Sequence, residues 1–199
     1  MRRMLVLTAL LLAGCALPVS RPPADTLHTL ALPATVQLTP ALPPGKTVQV
    51  ALPTAAPGYG SAAMAYRSAA HELRYYAGQR WVERPARLLQ QALIDGLAAG
   101  GAQPLAPGSG ARPDYRLLTD LVQFEQDFTV QPSRVRLTLR VQLVDVPTRR
   151  LLASHTLRLE QPATSDDAPG GVAAANALLQ RAVQEVAGFC RRATSARPQ

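Results

Sequence analysis

Residues 63–101 read AMAYRSAAHELRYYAGQRWVERPARLLQQALIDGLAAGG, and they hold the chain's only tryptophan, Trp81, with three of its five tyrosines. Two short apolar/polar alternations, Met64-Ala65-Tyr66-Arg67 and Leu73-Arg74-Tyr75-Tyr76, predict a β-hairpin. A helix then opens at Arg84-Pro85, where the amide that proline lacks would have no intrahelical partner anyway. On a helical wheel Ala86, Leu88, Leu89, Ala92, Leu93, Gly96 and Leu97 share one side, opposite Arg84, Arg87, Gln91 and Asp95, so one face is made to pack on a sheet. Gly96 costs roughly 1 kcal/mol relative to alanine inside a helix, which marks it as a point of close approach to a strand. Gly100-Gly101 ends the helix. Trp81 precedes it at the end of the core, and Trp81, Tyr75 and Tyr76 read as core packing in preference to a ligand-stacking platform.

Downstream, Gly101 to Pro113 is a Gly/Pro-rich connector and Tyr115 to Phe128 a long strand. Its apolar phase changes near Leu121-Val122, which predicts a bulge or a strand covered on both faces. Arg134 to Asp145 is the most regular strand: Val135, Leu137, Leu139, Val141 and Leu143 line one face, and Arg134, Arg136, Thr138, Arg140 and Gln142 the other. Pro147 to Arg150 turns the chain into a hairpin mate that continues through Leu159. Thr164 to Asp167 supplies capping side chains for a final helix striped by Val172, Ala175, Leu179, Ala182, Val183, Val186, Phe189 and Cys190.

Upstream, Thr47 to Leu52 and Leu27 to Leu32 read as strands, separated by a proline-bearing loop over residues 33–45. Gly58-Tyr59-Gly60-Ser61 lacks the Gly-Lys-Ser/Thr of a phosphate loop and the Gly-x-Ser-x-Gly of a nucleophile elbow, so it is a turn. The elements together predict one α/β domain, a mixed and largely antiparallel sheet with two amphipathic helices packed against it.

The N-terminus has a different character. Arg2-Arg3, the apolar run Met4 to Leu12 and the small residues before Cys15 form a secretory signal, too short to span a bilayer. Leu12-Ala13-Gly14-Cys15 resembles a bacterial lipobox, which implies cleavage before Cys15 and acylation of that residue. Several acyl chains anchor stably where one binds only marginally. Ala16, in place of an aspartate, implies outer-membrane sorting. The expected organisation is a leader over 1–14, a lipidated tether over 15–26, the domain over 27–192 and a disordered tail over 193–199.

The formal charge of +8 falls by two with Arg2 and Arg3, to +6 in the mature chain. Lys46 is the sole lysine, and no cluster of basic and aromatic residues points to nucleic acid. With Cys15 acylated, Cys190 has no disulfide partner and reads as a small buried hydrophobe. Three histidines and one remaining cysteine, without metal-ligand spacing, argue against a metal site, and no cofactor motif is present. Glu125 and Asp127 share a strand parity and read as a solvated edge instead of a catalytic pair. His155 lies on an apolar parity and reads as a hydrogen-bonded core histidine. Arg134, Arg136 and Arg140 are the candidate surface for a partner or a lipid headgroup.

The ordered set Pro57-Gly58-Tyr59, Met64-Ala65-Tyr66, His71-Glu72-Leu73, Tyr75-Tyr76-Ala77, Arg80-Trp81-Val82 and Pro85 to Leu89, with Phe124-Glu125 further on, resembles the ABC-type transport auxiliary lipoproteins. That group includes the paraquat-inducible protein C lipoproteins and the auxiliary lipoproteins of mammalian-cell-entry (MCE) transporters. The resemblance implies a non-enzymatic, periplasm-facing outer-membrane lipoprotein. Its expected partners are an MCE substrate-binding subunit and an ABC permease that move phospholipid between membranes, and a homo-oligomeric ring is compatible with that role. Two rivals are a lipoprotein scaffold or activator of cell-envelope synthesis, and a periplasmic hydrolase using Ser61 with His71 or His155.

Overall fold

The computed structural model describes residues 24–33, 38–106 and 109–195. The leader, Cys15 and most of the tether lie outside the described residues, as do residues 196–199.

A long antiparallel meander forms the centre: β7 (Tyr115–Asp127), β8 (Arg134–Asp145) and β9 (Arg150–Pro162). Both of its turns are closed by an aspartate. Asp127 Oδ1 accepts from the Thr129 amide at 2.8 Å and hydroxyl at 2.6 Å, and Asp145 Oδ1 accepts from the Thr148 amide at 2.9 Å and hydroxyl at 2.6 Å. Such side-chain bonds hold the backbone in a turn where the ladder ends.

The other edge of β7 is lined end to end by three short parallel strands: β2 (Thr47–Val50), β3 (Thr54–Ala55) and β4 (Ala63–Arg67). β5 (Arg74–Trp81) pairs with β4 as the expected hairpin, and β1 (Thr26–His28) adds to β5 in parallel. β6 (Gln103–Pro104), inside the expected connector, pairs with β2 and completes a nine-stranded mixed sheet. The first strand is shorter than the expected Leu27 to Leu32. Leu30 leaves the ladder to enter the core, while Leu27 stays 61% exposed.

Both helices pack on one face, α1 (Pro85–Ala99) and α2 (Ala168–Ser195). The register of β7 and β8 shifts between Leu121 and Gln123, so the bulge is present. One extra residue reverses the facing of everything after it. The helix-facing set therefore passes from Tyr115, Leu117 and Leu121 to Phe124, opposite a core row of Leu137, Leu139, Val141 and Leu143. Leu157 and Leu159 continue that row on β9. Trp81 is buried and stacks on Phe124 with ring centroids 5.5 Å apart. Tyr76 packs with Tyr66 and Phe128, but Tyr75 is exposed and its hydroxyl donates to the Gly58 carbonyl, which corrects its placement in the core.

Gly96 does mark a close approach, though to α2 and not to a strand. A Cβ there would collide with Val183 and stand 3.1 Å from Leu38. α1 is tied to the sheet by Gln90, buried, whose amide donates to the Val50 carbonyl at 3.0 Å. α2 starts at the expected cap, with Asp167 Oδ1 accepting from the Gly170 amide at 2.8 Å. It continues to Ser195, past the expected domain end at residue 192, and Thr194 remains buried because its hydroxyl returns to the Cys190 carbonyl. No helix among the described residues is long and apolar enough to cross a membrane.

Candidate functional site

The face of the sheet opposite the helices carries a set of charged side chains in register across β7, β8 and β9. Arg140 is paired across the ladder with Asp120, and the two are 3.5 Å apart as an ion pair. Arg136 lies between Glu125 on β7 and Glu160 on β9. Its guanidinium stands 3.0 Å from Asp127 and 3.3 Å from Glu160, and Arg134 reaches Glu160 at 2.9 Å. Cross-strand neighbours of opposite charge attract, so the strands present a neutralised ladder of alternating sign. The three arginines of the candidate surface are thus brought together, each with a carboxylate against it.

Glu125 and Asp127 are not a solvated edge. The bulge turns both away from the helices, yet they are 2% and 0% exposed. Glu125 is covered by the Gly58-Tyr59 turn and by β4. Tyr59 Oη donates to its Oε2 at 2.5 Å, Arg67 Nε to its Oε1 at 2.8 Å, and Gln123 Nε2 to the same oxygen at 3.0 Å. A buried carboxyl needs such partners to replace the water it has lost. Burial, with the hydrogen bond to Glu125 next in effect, raises the Tyr59 hydroxyl well above the ordinary phenol value. Burial also opposes ionisation of Asp127, but the Thr129 hydroxyl and amide and the Arg136 charge outweigh it and hold its carboxyl below the usual range. Both Glu125 oxygens and Asp127 Oδ1 accept hydrogen bonds from neighbouring side chains, while Asp127 Oδ2 has only the Arg136 guanidinium against it at 3.0 Å.

Gln126 accepts from Tyr76 Oη at 2.8 Å and donates to Ser133 Oγ at 2.9 Å, which locks the β7–β8 turn to the hairpin. Burial, ahead of the charges of Asp167, Tyr66 and Asp166, likewise raises Tyr76.

The remaining candidates are dispersed. His155 is exposed, not a core histidine, and lies flat over Phe189 with ring centroids 6.2 Å apart. It keeps the helix-facing parity of Leu157 and Leu159, opposite Val141, but on the outer strand β9 Phe189 covers only one face of its ring. The β8–β9 register break lies beyond it, between Leu143 and Val144, and leaves Leu151 exposed. Ser61 Oγ accepts from the Ala63 amide, and no hydrogen bond joins it to His71 or His155 among the described residues. Cys190 is fully buried and burial pushes its thiol up to about 12. Among the described residues no group of three or more His, Cys, Asp and Glu side chains could hold a metal ion. Sequence reasoning overlooked Arg67 and Tyr59, and the one available signal was the Phe124-Glu125 pair that completes the family-like set of motifs.

No curated protein matches the chain. Among solved structures it is similar to protein XCC0632 from Xanthomonas campestris, a DUF330 protein. The two are 25% identical with a TM-score of 0.77, over 86% of this chain and 97% of that one. The hypothetical protein CT253 from Chlamydia trachomatis shares the fold at 9% identity and a TM-score of 0.55, over 76% of this chain and 99% of its own. The model of the ABC-type transport auxiliary lipoprotein component matches residues 28–187, from the first strand almost to the end of the last helix. That span takes in α1, most of α2 and the whole charged ladder, and the chain belongs to the ABC-type transport auxiliary lipoprotein family.

Proposed function

We propose that the protein is the outer-membrane-anchored, periplasm-facing auxiliary subunit of an MCE-type ABC transport system that moves phospholipid between the two membranes. The observation that carries this reading is the family match over residues 28–187 on a chain whose Leu12-Ala13-Gly14-Cys15 resembles a lipobox. Its work is docking rather than catalysis: acyl chains at Cys15 set the location, the tether sets the reach, and the sheet receives the MCE substrate-binding subunit. The ladder of Arg134, Arg136 and Arg140 is the proposed partner surface. Paired charges of alternating sign favour a partner with the complementary pattern and disfavour one without it.

Metabolic palmitate labelling with membrane fractionation tests the reading. The wild type should be labelled and sediment with the outer membrane. Cys15→Ser should lose label and location together, with the fold unchanged by circular dichroism and phospholipid traffic impaired. An unlabelled wild type, or a Cys15→Ser variant with full transport, would contradict it.

A further inference from the structure

The corner where the chain enters the fold has features that the charged ladder does not use. Leu27 and Val82 are 61% and 51% exposed, against a core of leucines close to zero. The two are held together by the sheet. Leu27 is opposite Arg80 in the β1–β5 ladder, and the Val82 amide donates to the His28 carbonyl at 2.7 Å. His28 is opposite Trp81, whose side chain is buried, so the alternation of the strand turns Leu27 away from the core.

Just beyond Val82 an open groove of about 400 Å³ is lined by Leu52, Pro53 and Ala55 together with Arg84 and Arg87 at the start of α1. Leu52 is itself 52% exposed. Among the described residues neither Arg84 nor Arg87 has an ion pair, whereas Arg67, Arg134, Arg136 and Arg140 all do. The opposing charges at this corner are Glu83, which accepts from the Arg84 amide at 2.7 Å, and Asp25, which is 3.7 Å from Arg80. The corner is amphipathic, with exposed aliphatic side chains beside two unneutralised guanidinium groups.

The chain also leads here. The described body begins at Ala24, two residues before β1, and Cys15 lies nine residues upstream. Nine residues reach at most about 32 Å when fully extended. An anchor at Cys15 therefore keeps this corner close to the bilayer, while β9 lies at the opposite edge of the sheet.

We propose that this corner rests on the lipid surface that holds the anchor, with Leu27 and Val82 entering the headgroup layer and Arg84 and Arg87 pairing with lipid phosphates. The inference rests on the reading of Cys15 as the anchor. Arginines near an anionic leaflet and partly buried aliphatic side chains each add to binding there. The docked body then turns β9 and the arginine ladder away from the membrane, toward the periplasm.

The test uses the processed full-length protein as three single variants, Leu27→Cys, Val82→Cys and Leu151→Cys, each labelled with an environment-sensitive fluorophore. Leu151 is 53% exposed on β9 and serves as the distal control. The proteins are reconstituted in vesicles of phosphatidylethanolamine with about one-quarter phosphatidylglycerol, an anionic surface. Nitroxide-bearing lipids should quench the label at residues 27 and 82 and leave residue 151 unquenched. Equal quenching at all three, or none at 27 and 82, overturns the proposal.

The mass of the intact protein reads the anchor separately. If Cys15 carries no acyl chains the anchor reading fails, and the same variants are held by a hexahistidine tag at residue 15 on nickel-chelating lipid, where the same two outcomes decide. A charge arm is independent of tethering. For the unacylated Cys15→Ser chain, Arg84→Gln with Arg87→Gln should lower affinity for these vesicles about tenfold or more, since each arginine near an anionic surface adds to binding. Unchanged affinity contradicts the assignment of the two arginines.

Discussion

Arg67 Nη2 stands 2.7 Å from Oε1 of Glu125, a carboxylate that is 2% exposed on the face of the sheet away from both helices. The pair joins β4 to the central strand β7 and closes the Gly58-Tyr59 turn over it. Removing one member of a buried pair strands the other charge, which costs more than the pair itself contributes. Arg67→Met should destabilise the fold by about 2–3 kcal/mol, less than a fully buried pair because Arg67 retains 30% exposure. Arg67→Met with Glu125→Leu should recover most of that loss in urea unfolding. Additive losses in the double variant would show that the pair is not coupled.

Asp114 gives the acid limb of the stability curve. Its carboxyl is lowered from an ordinary 3.8 to about 2 by the Lys46 ammonium, then by the Thr47 amide and hydroxyl. A folded-state value below the unfolded one contributes stability that is complete above the unfolded value and is lost as pH falls through the folded one. Asp114→Asn should therefore flatten the change in urea midpoint between about pH 4 and pH 2, with a smaller effect on the slope above pH 5. An unaltered slope in that window would contradict the assignment.

Gly96 sets how closely the helices cross. A methyl group there meets Val183, so Gly96→Ala should overpack the junction by about 1–3 kcal/mol, which exceeds the roughly 1 kcal/mol gained in helix propensity. A double-mutant cycle with Val183→Ala should show coupling of about 1 kcal/mol, since the second change makes room for the first. Stabilisation by Gly96→Ala alone would contradict the close crossing.

Cys190 should be inert in the folded protein. Its thiol is fully buried and pushed up to about 12, so almost no thiolate forms at neutral pH. Alkylation by iodoacetamide should follow global unfolding, and rapid labelling under native conditions would show that this part of α2 opens locally.

Much of the fold was legible because periodicity reports burial. The Arg134 to Asp145 strand, its hairpin mate, both helices and the phase change near Val122 all follow from which residues alternate and which recur at helical spacing. Periodicity could not show what covers a strand. Glu125 and Asp127 look like a wet edge until the bulge and the Tyr59 turn are in place, because their burial depends on residues about sixty positions away. His155 failed in the other direction: it shares the parity of the core residues Leu157 and Leu159, but β9 is an outer strand and Phe189 covers only one face of its ring, which the period of its own strand does not show. Short parallel strands such as Thr54–Ala55 and Gln103–Pro104 were invisible for a simpler reason, since two residues carry no period. The arginine face was legible as a face but not as a neutralised one, because Asp120 and Glu160 come from separate strands.

The central claim is that this body serves an MCE-type transporter through its charged sheet face. Photo-crosslinkers placed at Thr138 and Arg158, beside Arg136 and Arg140 in the ladder, test it in intact cells, with the captured proteins identified by mass spectrometry. The expected result is an MCE substrate-binding subunit crosslinked from both positions, with the permease recovered in the same complex. Capture of peptidoglycan synthases, or of no transporter subunit while the protein is folded and in the outer membrane, would contradict the account.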